Sequence, residues 1–225
     1  MPRLPRTNQI ENSLIYHIYN RGNGKLDVFH DDHDFEYFLL VIKRYKSFYP
    51  ISIYHWVLMT NHIHLAISIE VPKMISKCIG GILQVYAQYH HKRWNSAGRL
   101  WQSRFASQAV QEERYLFECG RYIERNPMRA GIVRYPWDYK WSSCQYYVNG
   151  KKDDIITPDP AFDSFGNNKG DRIENYKAWL MEGEESVFNN MANSAGDKDF
   201  IKQLTQKEGR LIRRKRGRPK KSDGI

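Results

Sequence analysis

Two histidines separated by one residue, His62 and His64, open the run HIHLAISI. Side chains of an extended strand alternate between faces. Ile63, Leu65, Ile67 and Ile69 then share one face, suited to a core against helices, while His62, His64, Ala66 and Ser68 share the other. Two imidazoles on one face at a strand's beginning, with only small neighbours beyond, suit contact with a shared metal ion or a phosphate. The competing reading is a pair of packed or solvated rings. Further along, Tyr122 and Asn126 stand four residues apart in EERYLFECGRYIERNP. On a helix that spacing brings a phenol and an amide oxygen to one face, about a turn apart. Taken alone, the pair reads more simply as an amphipathic core tyrosine and a helix stop before Pro127.

The elements that must position these groups follow from periodicity. Strands are expected over 14–20 (LIYHIYN), 51–59, 62–69 and 104–110, which are rich in β-branched and aromatic residues. Thr60-Asn61 makes the second and third a hairpin. Helices are expected over 32–49, with Phe35, Phe38, Leu39, Ile42 and Tyr45 at helical spacing; over 72–94, with Ile75, Ile79, Ile82, Leu83 and Tyr86; and over 112–125, with Leu116, Cys119 and Ile123 as its apolar stripe. Asp31 and Asp32 favour the start of the first helix and Pro50 closes it. The order β-α-β-β-α-β-α predicts an α+β, ferredoxin-like fold. It has a four-stranded antiparallel sheet with helices on one face, and an additional C-terminal helix that carries Tyr122. Residues 1–148 form the expected core domain. Residues 149–206 read as a linker and small helical extension, with a short helix over 173–181 and a loose stretch over 189–199.

Charge sets the last nineteen residues apart. Of a net +10, a surplus of +7 lies in residues 207–225, where nine basic side chains face only Glu208 and Asp223. So few apolar residues interrupt this polycation that it is expected to be disordered when free. Its KRGRPKK centre looks like an AT-hook, in which Arg216 and Arg218 enter the narrow minor groove of an A·T-rich duplex. The alternative is a solvated basic tail, which still favours polyanions through counterion release. No run approaches the roughly 18 apolar residues of a membrane span, and the N-terminus lacks the apolar core of a secretory signal. Three scattered cysteines exclude a disulfide framework and predict a reducing, cytoplasmic setting. Tyr54, Trp56, Trp94, Trp101 and Phe105 are core residues or platforms for unpaired bases. Arg99, Arg104, Arg121, Arg125 and Arg129 are candidates to meet phosphates.

His62-Ile63-His64 followed by Tyr122-Ile-Glu-Arg-Asn126-Pro127-Met-Arg129-Ala130-Gly131 resembles the REP-associated tyrosine transposases, bacterial single-tyrosine members of the HUH endonucleases. Tyr19-Asn20-Arg21-Gly22, Val57-Leu58-Met59-Thr60-Asn61-His62 and Leu100-Trp101-Gln102-Ser103-Arg104-Phe105 support the likeness, which covers residues 10–148. Met128 stands where valine is common, and the basic tail is not a core feature of that family. The resemblance implies a transposase acting on single-stranded or hairpin DNA, associated with the bacterial nucleoid. It implies His62, His64 and Asn126 as ligands of Mg²⁺ or Mn²⁺, and Tyr122 as a nucleophile that forms a 5′-phosphotyrosine. By position it implies Arg21 and Arg104 as DNA contacts. It allows a monomer or a dimer. The alternatives are a non-catalytic nucleic-acid-binding protein and a metal-dependent phosphoesterase that uses water in place of the tyrosine.

Overall fold

A computed structural model describes residues 15–110, 112–182 and 194–195. Strand β1 (Ile15–Arg21) lies at the centre, between β3 (His62–Ile69) and β4 (Ala106–Val110), and β2 (Ile51–Met59) flanks β3. All three pairings are antiparallel, so the order β2-β3-β1-β4 is the ferredoxin-like arrangement expected from the element order. A two-residue strand β5 (Ser194–Ala195), from the stretch read as loose, adds in parallel to the free edge of β4.

Helix α1 (Asp32–Lys46) starts at Asp31, whose side chain accepts from the Asp34 amide, and ends before the chain turns at Pro50. Helix α2 (Ile75–Arg93) packs beside it. Phe38, Ile42, Ile79 and Tyr86 are buried with Ile18, Ile63, Leu65 and Ile67 from the sheet. The apolar half of the β3 alternation therefore faces helices, as its period dictates.

The other face of the sheet is not left open. Helix α3 (Glu112–Glu124) covers it, burying Leu116, Cys119 and Ile123 together with Ala66 and His55. This face lies opposite the one that α1 and α2 cover. A bulge in β2 prepares the second face: Ile53 pairs with Ile67 and His55 with Ala66, so Tyr54 is the extra residue. The phase of β2 is thereby reversed, and His55 turns towards α3. There Gly120 makes the close approach, since a Cβ at that position would lie 2.6 Å from the His55 ring. After α3 the chain re-enters a short helix α4 (Asn126–Arg129), with Pro127 in its first turn, where a missing N–H costs little.

Of the stretch read as linker and small helical extension, 149–206, residues 149–182 contact the core. Ser143 and Trp141 hydrogen-bond to the outer edge of β2, and Thr157 donates to the Ile53 carbonyl at 2.8 Å. Helices α5 (Cys144–Asn149) and α6 (Lys169–Met181) follow, and Tyr176 and Leu180 of α6 are fully buried. The apolar residues of this segment are sparse among Asp, Asn, Lys and Gly, and composition alone hides them. The basic tail, with Arg216 and Arg218, lies outside the described residues. Among the described residues no helix is long and apolar enough to cross a membrane.

Candidate active site

The register of the sheet assembles the site. On the face towards α3, one row across the strands runs His55, Ala66, His17, Gln108; the next runs Val57, His64, Tyr19, Ala106; the third ends in Met59, His62 and Arg21. Tyr122 and Asn126 descend on this face from α3 and α4. Of these, Tyr19, Arg21, His62, His64, Tyr122 and Asn126, together with Arg129, line a cavity of about 760 Å³. One chain supplies all of them.

His62 meets Asn126 directly, with Nε2 3.3 Å from the amide Oδ1. On its other side His62 Nδ1 lies 2.6 Å from Asn61 Oδ1, and Asn61 is itself oriented by donating Nδ2–H to the Lys25 carbonyl. An amide oxygen only accepts and a neutral imidazole has one ring proton, so His62 can donate to Asn61 or to Asn126 but not to both; with the proton on Nδ1, towards the nearer oxygen, Nε2 keeps its lone pair. His64 stands perpendicular to His62, with ring centroids 5.1 Å apart. Its Nδ1 is 2.8 Å from Nε2 of His17, which leaves Nε2 as its second nitrogen. Among the described residues no group of three or more His, Cys, Asp or Glu side chains is arranged to hold a metal ion. A cation here would rest on two imidazoles and the Asn126 amide, a mixed N,N,O set compatible with a hard divalent ion that keeps open positions.

Burial favours the neutral form of each of these rings. It pulls His64 well below its ordinary value, with the nearby charges of His17, His62, Arg21 and Arg129 adding to the effect. It lowers His62 too, against the hydrogen bond to Asn126. His17, fully enclosed, is pulled down to about 4 despite its hydrogen bond with Gln108. A neutral imidazole offers a lone pair to a metal; a protonated one does not. The Tyr122 ring stands edge-on to both His64 and His17, at 5.7 Å between centroids in each case. The Arg129 guanidinium lies 5.2 Å from the centre of the Tyr122 ring.

A sequence profile described as "Transposase IS200 like" matches residues 11–126, from just before β1 through Tyr122 and Asn126. The chain belongs to the IS200-like transposase family. No curated protein sequence matches it. Among solved structures it is similar to one described as the REP-associated tyrosine transposase bound to a REP hairpin, with 20% identity and a TM-score of 0.54. The match covers 71% of this chain and 93% of that one, and it shows a shared fold.

Within this transposase the structure brings His62, His64, Tyr122, Asn126 and Arg21 to one cavity. Arg104 is exposed and does not line it. Arg121 is nearly buried, paired with Glu118 and lying over Trp179, so packing rather than phosphate contact accounts for it. Of the five candidate base-stacking aromatics, Trp56 and Phe105 are buried and Trp101 donates its indole N–H to the Leu83 carbonyl. Tyr54 bonds with Ser68, and only Trp94 is exposed, with its indole on Asp34. Sequence reasoning missed His17, Gln108 and Asn61. The alternation of LIYHIYN already places His17 with Tyr19 and Arg21, but only the register with β3 reveals that its neighbour is His64.

Proposed function

We propose that this transposase is a metal-dependent single-stranded DNA endonuclease and strand-transferase, acting at hairpin-associated repeats as in the REP-associated branch. The observation that carries the reading is the meeting of Tyr122 with His62, His64 and Asn126 around one cavity in a single chain. The hairpin in the similar solved structure supports the substrate class. A site complete within one chain favours a monomer.

His62, His64 and Asn126 would hold Mg²⁺ or Mn²⁺. When bound, the ion supplies charge stabilisation to the phosphate under attack. The rest is the work of the chain. Arg21 and Arg129 at the cavity wall draw in and hold a phosphodiester. Tyr122 is positioned by α3 to bring Oη in line. The Oη–P bond forms as the P–O3′ bond breaks, Oη–H gives up its proton, and the departing oxygen is protonated to a 3′-OH. The product is a 5′-phosphotyrosine, which keeps the bond energy for attack by a second 3′-OH and needs no ATP. Oη becomes a strong nucleophile only as it loses its proton, so the attack requires help in that loss.

Incubating the protein with Mn²⁺ and oligonucleotides that carry repeat hairpins of the host tests this. A covalent protein–DNA adduct should appear, Tyr122→Phe should abolish it, and His64→Ala should remove metal-dependent cleavage. An adduct that persists in Tyr122→Phe rejects the nucleophile. Salt-sensitive hairpin binding with neither adduct nor metal requirement would support the non-catalytic binding reading. Cleavage without covalent attachment would support the water-using phosphoesterase.

A further inference from the structure

Behind His64, away from the cavity, a buried polar chain crosses three strands. His64 Nδ1 lies 2.8 Å from His17 Nε2, and His17 Nδ1 lies 3.2 Å from Gln108 Oε1. The His17 and His64 rings are stacked at 22°, with centroids 5.0 Å apart. His17 is 3% exposed and Gln108 9%. The family likeness assigns no role to either residue.

We infer that His17, oriented by Gln108, is a positioning residue that fixes the proton of His64 on Nδ1 and so presents an unprotonated Nε2 to a divalent cation in the cavity. The inference rests on the metal-binding reading above and goes one shell beyond it. Its logic is sequential. The Gln108 oxygen only accepts, so His17 Nδ1 must donate. A neutral imidazole carries one ring proton, so His17 Nε2 is left as an acceptor. His64 Nδ1 must then donate to it, and His64 Nε2 keeps its lone pair. Rotating the Gln108 amide by half a turn would reverse every link: His17 would donate to His64, and His64 Nε2 would carry a proton into the cavity, where it would oppose a cation. Partners of this kind, one bond behind a ligand, typically change metal affinity or activity by about 10- to 100-fold when removed.

The test needs the full-length protein, first without metal. Nitrogen-15 NMR of histidine-labelled protein reads the ring tautomers directly. His64 is expected with its proton on Nδ1, and a proton on Nε2 of His64 in the wild type would overturn the inference whether or not the protein cleaves DNA. Mn²⁺ affinity is then measured by titration with paramagnetic detection of the free ion. His17→Leu and Gln108→Leu should each weaken it by about 10- to 100-fold. His17→Gln, which restores an acceptor near the position of Nε2, should recover most of the loss. In cleavage assays the metal concentration for half-maximal rate should rise in His17→Leu, with the rate recovering at saturating Mn²⁺. Circular dichroism identifies any variant that fails to fold, and the wild-type NMR result decides in that event. Wild-type Mn²⁺ affinity retained in folded His17→Leu would reject the role. Absence of Mn²⁺ binding in the wild type would instead reject the metal-binding reading itself, leaving the tautomer measurement to judge the relay alone.

Discussion

His55 and His64 stand on the same sheet face, in adjacent cross-strand rows, His55 opposite Ala66 and His64 opposite Val57. Both are almost wholly buried, yet their environments act in opposite directions. His64 has a neutral imidazole behind it, and burial drives it towards the uncharged form. His55 lies between two carboxylates, with Nδ1 2.9 Å from Glu124 and Nε2 3.0 Å from Asp159. Burial alone would lower it as well, but the hydrogen bonds and charges of Asp159 and Glu124 prevail and raise it to about 9. The difference teaches how one side-chain type serves two purposes. Ringed by acids, a buried histidine is a cation that ties elements together; ringed by neutral partners, it is a free base available as a ligand.

The first of these is a fastener. Glu124, two residues after Tyr122, also accepts from Ser143 Oγ at 2.6 Å and from the Tyr176 hydroxyl at 2.9 Å. One carboxylate thus joins the tyrosine helix to β2 through His55, to the start of α5 and to α6. Breaking it should give the largest stability effect. His55→Leu leaves Glu124 and Asp159 buried without their shared cation, and a loss of about 3–5 kcal/mol in urea denaturation is expected. A loss below about 1 kcal/mol would show that the two regions do not differ as argued.

Acidity offers a gentler way to break the same contrast. His55 is held above its ordinary 6.5, at about 9, so the fold favours its protonated form. That contribution is complete below about pH 6.5, declines as pH rises, and is gone above about 9. The melting temperature of the wild type should therefore fall across this window relative to that of His55→Leu. Parallel curves for the two proteins would refute a charged His55.

The smallest effect is expected on the neutral side. Asn61→Ala removes the nearer of the two amide oxygens facing His62, the one that favours its proton on Nδ1. Mn²⁺ affinity should drop by about tenfold, as measured by titration, while the urea midpoint stays near the wild-type value. Unchanged affinity would mean that His62 needs no such partner.

Much of this was legible in the residues. The two-residue alternation from His62 to Ile69 put both imidazoles on one face and the isoleucines in the core, and helical spacing put Tyr122 a turn from Asn126. Both are local relations, carried by backbone geometry over a few residues. What was not legible is what depends on partners far along the chain. The bulge at Tyr54 reverses the phase of β2, and nothing in ISIYHWVLM marks which residue is extra. Asp159 reaches His55 across 104 residues, from a stretch whose composition reads as loop. His17 gains its meaning from the β1–β3 register, which patterning on one face constrains without specifying the neighbour in the next row.

Gly120 gives the architecture a tolerance that can be stated in ångströms. The tyrosine helix rests on the His55 ring where its own residue ends at a hydrogen atom. The same helix carries Tyr122 one side and two residues further on, so its standoff from the sheet is also the clearance between phenol and imidazoles. A single methyl group at position 120 would act as a shim, and the spacing of the chemistry would widen with it.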